Sequence, residues 1–145
     1  MNIQTRLTSV APDLVEWGAS LPATRRKNVA CAVAQWACTK SNAMALHHEL
    51  PLKQMLQPTY VATEADRQRL AQKADDLDEK YYSTVGSQVD SNAADGDLTL
   101  FEQARATTCV LYAFDADELA AFYDALYEAQ AVTDDVEELR QLCRT

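Results

Sequence analysis

The stretch Val29-Ala30-Cys31-Ala32-Val33-Ala34-Gln35-Trp36-Ala37-Cys38 holds a single polar residue, Gln35, and neither glycine nor proline. A run this apolar and this rich in alanine reads as helix, and a helix apolar on all sides has to be surrounded by others. It predicts an alanine-rich central helix over about residues 22–47. The alanines let neighbours approach closely, while Val29, Val33 and Trp36 supply bulk. Ser20 is expected to cap this helix, with Pro22 in its opening turn and Pro51 ending it.

Outward from that core the pattern stays helical. Upstream, about residues 3–19 carry Leu7, Val10 or Ala11, Leu14 and Trp17 on one stripe, with Gly18 near the end. Pro12 is comfortable only in a first turn, which allows two short pieces in place of one helix. Downstream, Leu52, Met55 and Leu56 make a short turn before Pro58. Thr63 and Asp66 form a variant capping box that opens a charged surface helix with the core stripe Leu70, Ala74, Leu77 and Tyr81.

Residues 83–96 lack any period and hold two of the three glycines, so they read as a long loop. Asp97 then caps a helix over about 98–114, with Leu100 or Phe101, Ala104, Thr108, Leu111 and Tyr112 available to the core. A helix over about 116–131 buries Leu119, Phe122 or Tyr123, and Leu126, leaving Asp117, Ala121, Asp124 and Glu128 on its other side. Thr133 begins a last helix with Val136, Leu139 and Leu142 inward. No segment alternates like a strand. The expectation is an all-α bundle of about six helices, one domain over 1–145.

Three glycines and four prolines suit long helices better than a many-stranded sandwich. No apolar run is long enough to span a membrane, and Thr8, Ser9, Asp13 and Glu16 interrupt any secretory leader. Cys31 and Cys38 lie about 10 Å apart along one helix, too far to bridge. Cys109 and Cys143 are isolated. Four reduced thiols in a cytoplasmic protein follow.

Charge is the least even property of the chain. The formal net charge is −9, made of +3 over residues 1–60 and −12 over 61–145, with nine acids and no base from Asp115 to Glu138. Such a surface repels nucleic acid and anionic membrane and attracts a basic protein. Acids also serve simply to keep a protein soluble.

Chemistry is harder to find. His47 and His48 are adjacent, about 100° apart on a helix, and do not form a shared metal site. There is no Glu-x-x-His pair, nucleophile elbow or phosphate-cradling glycine loop. No cofactor is implied. Asp75/Asp78, Asp76/Glu79, Asp115/Glu118, Asp134/Glu137 and Asp135/Glu138 are spaced i, i+3. Two such pairs on facing helices can hold Mg²⁺ against a pyrophosphate, as in all-α nucleotide pyrophosphohydrolases.

Two features point instead to binding. Arg25-Arg26-Lys27 places three positive charges near a helix N-terminus, against its dipole, so a compensating contact is expected, either with the acidic C-terminal half or with an outside partner. The helix at 116–131 mixes tyrosines with acids, a composition suited to a protein interface. Asp117, Tyr123, Asp124, Tyr127 and Glu128 are the candidate partner-binding residues, extended by Asp134 and Asp135.

The alanine-rich helix with Trp36, the acid run Asp115–Glu138 and the alanine-dense C-terminal helices together resemble the small acidic all-helical immunity proteins of bacterial toxin systems. That resemblance implies a non-catalytic cytoplasmic protein that neutralises a cognate toxin, often a basic nuclease. A Mg²⁺-dependent nucleotide hydrolase and an acidic secretion chaperone or adaptor are the alternatives.

Overall fold

A computed structural model describes residues 5–44, 50–57, 59–87, 99–115, 117–133 and 135–144. A 3-10 turn, Arg6–Ser9, leads into α1 (Pro12–Ser20), α2 (Ala23–Lys40), α3 (Leu52–Met55), α4 (Glu64–Ser87), α5 (Thr99–Ala113), α6 (Glu118–Thr133) and α7 (Val136–Arg144). There is no strand among the described residues. The chain is an all-α bundle, and no helix among the described residues is long and apolar enough to cross a membrane.

The alanine-rich helix α2 packs against α5, α6 and α7, and α6 shares the centre of the bundle with it. Helix α6 packs against α5, α2, α1, α7 and the N-terminal turn. Its buried residues include Ala121, Phe122, Tyr123, Ala125, Leu126, Glu128, Ala129 and Val132, a set that wraps most of the helix. Small side chains at 121, 125 and 129 let neighbouring helices come close, while Phe122 and Leu126 fill the space between them. Helix α2 buries Val29, Ala30, Cys31, Val33, Ala34, Ala37 and Cys38 but leaves Ala32 and Gln35 in solvent. Alanine tolerates either side, so its density alone does not say which positions of α2 face the core.

Several boundaries depart from the sequence expectation, each for a local reason. Pro12 does divide the first segment, as the first residue of α1. Ser20 closes α1, its hydroxyl donating to the Trp17 carbonyl at 2.6 Å, and Leu21 turns extended; Pro22 precedes α2 in the cap position. Helix α2 stops at Lys40, well before Pro51, because Asn42 takes the left-handed conformation (φ 62°). That bend is held by Gln103, which donates to the Asn42 carbonyl at 3.3 Å, and by Ser41, whose hydroxyl accepts from Ala43 N–H at 3.2 Å.

Helix α4 runs on to Ser87, past the expected start of the loop. Its capping box forms as expected: Thr63 N–H donates to Asp66 Oδ2 (3.0 Å) and Asp66 N–H to Thr63 Oγ1 (3.1 Å). Thr133 ends α6, and Asp135 is the cap that starts α7. His47, His48, Pro58, the remainder of the expected loop, Asp97 and Asp134 lie outside the described residues.

The N-terminal segment is tied down by apolar burial and by ion pairs. Leu7 and Leu14 are buried to 0% and 1% exposure, each contributing roughly 1.5–3 kcal/mol on removal from water. Arg140 of α7 grips Asp13 of α1 through Nε and one terminal nitrogen, both at 3.0 Å, and donates to Glu137 at 3.1 Å. Arg26, the middle of the basic triplet, donates to the carbonyls of Gly18 (2.8 Å) and Ala19 (3.0 Å). It therefore satisfies the open C-terminal carbonyls of α1 and contacts no acid there.

Candidate functional site

The acid run divides between surface and interior: Asp115, Asp117, Asp135 and Glu137 are exposed, Asp124 and Glu138 are half-buried, and Glu128 is buried. Glu128 is 2% exposed, with Arg6 donating to one carboxylate oxygen at 3.3 Å and Arg105 to the other at 3.3 Å. Arg105 also reaches Asp78 of α4 at 2.7 Å. Arg6 lies 3.6 Å from Asp124 and over the Tyr127 ring, 4.5 Å from its centroid, with Tyr112 at 5.6 Å. Burial opposes the Arg6 charge, but Glu128, Tyr112 and Asp124 outweigh it and hold the guanidinium above its ordinary titration range. The result is a charge cluster in which α4, α5, α6 and the N-terminal turn meet. Asp78 Oδ1 and Arg105 Nε are buried within it without a hydrogen-bond partner.

The candidate residues that fall among the described ones each have a definite place. Tyr123 is 5% exposed and its hydroxyl donates to the Val15 carbonyl at 3.2 Å; burial pushes its pKa up, with Arg26 opposing. Glu128 is inside the cluster, while Asp124 and Tyr127 are half-buried beneath Arg6. Asp117 is exposed and caps α6, accepting from the N–H groups of Leu119 (3.1 Å) and Ala120 (3.2 Å). Asp135 is exposed and caps α7, accepting from Glu138 N–H at 3.0 Å. Asp134 lies outside the described residues.

The i, i+3 carboxylates are divided between different tasks. Asp78 turns in to Arg105, whereas Asp76 accepts from Gln72 at 2.9 Å and Asp75 and Glu79 face solvent. Asp115 accepts from Asp117 N–H at 3.0 Å. Glu138 takes the Lys40 ammonium at 2.8 Å and the Trp36 indole N–H at 3.3 Å, while Asp135 beside it is a cap. Among the described residues no three His, Cys, Asp or Glu side chains gather closely enough to hold a metal ion. All four cysteines are buried free thiols. Burial pushes Cys38 up to about 12 and raises Cys31, against Lys27, and Cys109, beside the other thiols and Glu128.

An exposed aromatic side chain and exposed acids come together on α4. Tyr82 is 63% exposed. Its ring stands edge-on to Tyr81 at 5.2 Å, and Tyr81 in turn tilts against Phe101 of α5 at 5.5 Å. Asp75, Glu79 and Tyr82 follow i, i+4, i+7 and share one face of the helix. Helix α5 is the principal partner of α4, and Asp75, Glu79 and Tyr82 are exposed among the described residues. Sequence reasoning overlooks Tyr82, because it lies at the edge of the segment that reads as loop. It also overlooks Arg105, whose signal is a single arginine between Ala104 and Ala106 in an otherwise nearly uncharged helix. Comparison of the chain with family models, with curated proteins and with solved structures found no match.

Proposed function

We propose that this chain is a non-catalytic protein-binding protein that neutralises a basic partner, in the manner of a cytoplasmic immunity protein, and that it binds through the outward face of α4. The observation that carries this reading is Tyr82, 63% exposed and braced by Tyr81, on the same face as the exposed carboxylates of Asp75 and Glu79. A rigid aromatic flanked by acids is what an interface with a basic protein uses: the ring anchors the complex and the rim charges speed its formation. The α6 residues support it less well, since Tyr123 and Glu128 are spent on internal bonds. Four buried thiols suit a reducing compartment.

The test is capture of cross-linked partners by the tagged chain in its native cell, with identification by mass spectrometry. A basic protein should be recovered by the parent chain and lost with Tyr82→Ala, whose circular dichroism should match the parent's. Asp75→Lys with Glu79→Lys should slow association and flatten its salt dependence. Equal capture by Tyr82→Ala, or an acidic partner, would remove the proposal.

A further inference from the structure

A cleft of about 250 Å³ opens where the start of α2, the segment leading into α4 and the turn between α5 and α6 come together. Its walls are Tyr60, Val61, Phe114 and three alanines, and its charges are Lys27, Arg67 and Asp115. Three otherwise separate irregularities meet here. Val61 is 81% exposed, the most exposed large apolar side chain among the described residues. Lys27 is exposed, opposes the α2 dipole and forms no ion pair or hydrogen bond among the described residues. Arg67 is fixed in place by donating to the Phe114 carbonyl at 3.0 Å, while its acidic neighbour Glu64 stands 3.8 Å away and is 74% exposed.

The geometry points to this cleft as a binding site for a small monocarboxylate with an apolar body. The Lys27 ammonium and the Arg67 guanidinium supply local positive charge on a protein of net charge −9, so an anion has two charged donors to meet here. The Tyr60 and Phe114 rings, 5.9 Å apart and tilted, with Val61 at the lip, receive the apolar body. Asp115 limits the ligand to one negative charge, because a second carboxylate would meet its own. The volume lies just below the roughly 300 Å³ at which pockets for drug-sized ligands begin, which sets the scale at about ten non-hydrogen atoms. The site is independent of the α4 face proposed above: Arg67 and Tyr82 are about 22 Å apart along the helix.

Phenylacetate is the probe, with phenylacetamide as its uncharged twin and phenylmalonate as the dianion. Amide chemical shifts of Lys27, Val61, Phe114 and Ala121 should move together on titration with phenylacetate, giving a dissociation constant on the order of 1 mM. Phenylacetamide, phenylmalonate and the Lys27→Gln variant should each weaken binding about fivefold or more, one charge contact being removed or opposed in each case. Lys27 is exposed, so the variant should fold as the parent does. Equal binding of acid and amide, shifts scattered over the surface, or no shift at about tenfold higher concentration would overturn the assignment.

Discussion

Replacing Arg105 by alanine is expected to cost this protein more stability than replacing its partner Glu128, although the two share one ion pair. Arg105→Ala strands Glu128, whose side chain is 3% exposed and which then keeps only Arg6, itself 47% exposed, at 3.3 Å. Glu128→Ala instead strands Arg105, which is 23% exposed and still 2.7 Å from Asp78. Removing one partner of a buried pair costs roughly 3–5 kcal/mol, because the charge left behind has lost both water and counter-charge. The carboxylate is the drier of the two, so we expect about 4 kcal/mol for Arg105→Ala and about 2 kcal/mol for Glu128→Ala. At about 4 °C per kcal/mol for a chain of this size, those are falls in Tm of roughly 16 and 8 °C. The double variant Arg105→Met, Glu128→Leu should lose less than the sum of the single losses, by about 1–3 kcal/mol. Urea unfolding followed by circular dichroism measures all three. Equal losses, the opposite order, or values all under about 1 kcal/mol would mean that the cluster behaves as an exposed surface pair and that its internal role is misassigned. Reversing Asp117, Asp124 and Glu128 to lysine together should destabilise for the same reason, since an ammonium at position 128 would face both Arg6 and Arg105.

Gly18→Ala should destabilise by about 2 kcal/mol despite the better helix propensity of alanine, and its thermal midpoint is the readout. A Cβ there would overlap Phe122, lying 2.7 Å from Cδ1 and 2.9 Å from Cζ, and that ring is fully buried, so one of the two must shift. Native alkylation should find Cys31 before Cys38 and Cys109, because the first is less deeply buried and has Lys27 nearby, whereas Cys38 is pushed up to about 12; faster labelling of Cys38 would contradict the packing of α2. Asp66 is held below the ordinary carboxylate range by the Thr63 backbone N–H and then the Tyr60 hydroxyl. Its folded pKa is depressed, so its contribution is complete above the unfolded value of about 3.9 and is lost as pH falls through the lower folded value. Asp66→Asn should flatten that acid limb in pH-dependent unfolding, and an unchanged limb would count against the capping box.

What the sequence revealed and what it hid differ in kind. Helix existence was legible because apolar residues recur at helical spacing, and the α4 start was legible to the residue because a capping box is a local motif: Thr63 and Asp66 need no information beyond each other. The end of α2 was not, since its left-handed Asn42 is held by Gln103, a residue 61 positions away. The pairing of the acid run was hidden for the same reason. Nine acids stand without a base in 24 residues of sequence, and in space Arg6, Arg105, Arg140 and Lys40 come to four of them. Of the basic triplet, periodicity flagged the anomaly, but only the fold separates Arg26, which closes α1, from Lys27, which lines a cleft.

The clasp of the first helix across the last two has a consequence for the order of events during synthesis. Arg6 meets Glu128 across 122 positions, Asp13 meets Arg140 across 127, and Tyr123 bonds to Val15 across 108. At roughly 5–20 residues per second, a ribosome needs about 6–24 s to deliver those partners after the first segment has emerged. Throughout that interval the N-terminal turn and α1 lack the α6 surface on which they pack, and Asp13 lacks Arg140. Helices α4 and α5 pair between neighbours in sequence, whereas the N-terminal turn and α1 dock on α6, which is made much later. A helical protein closed in this way carries the long-range contacts that slow folding, and its nascent N-terminal segment is the part most exposed to holding chaperones and proteases.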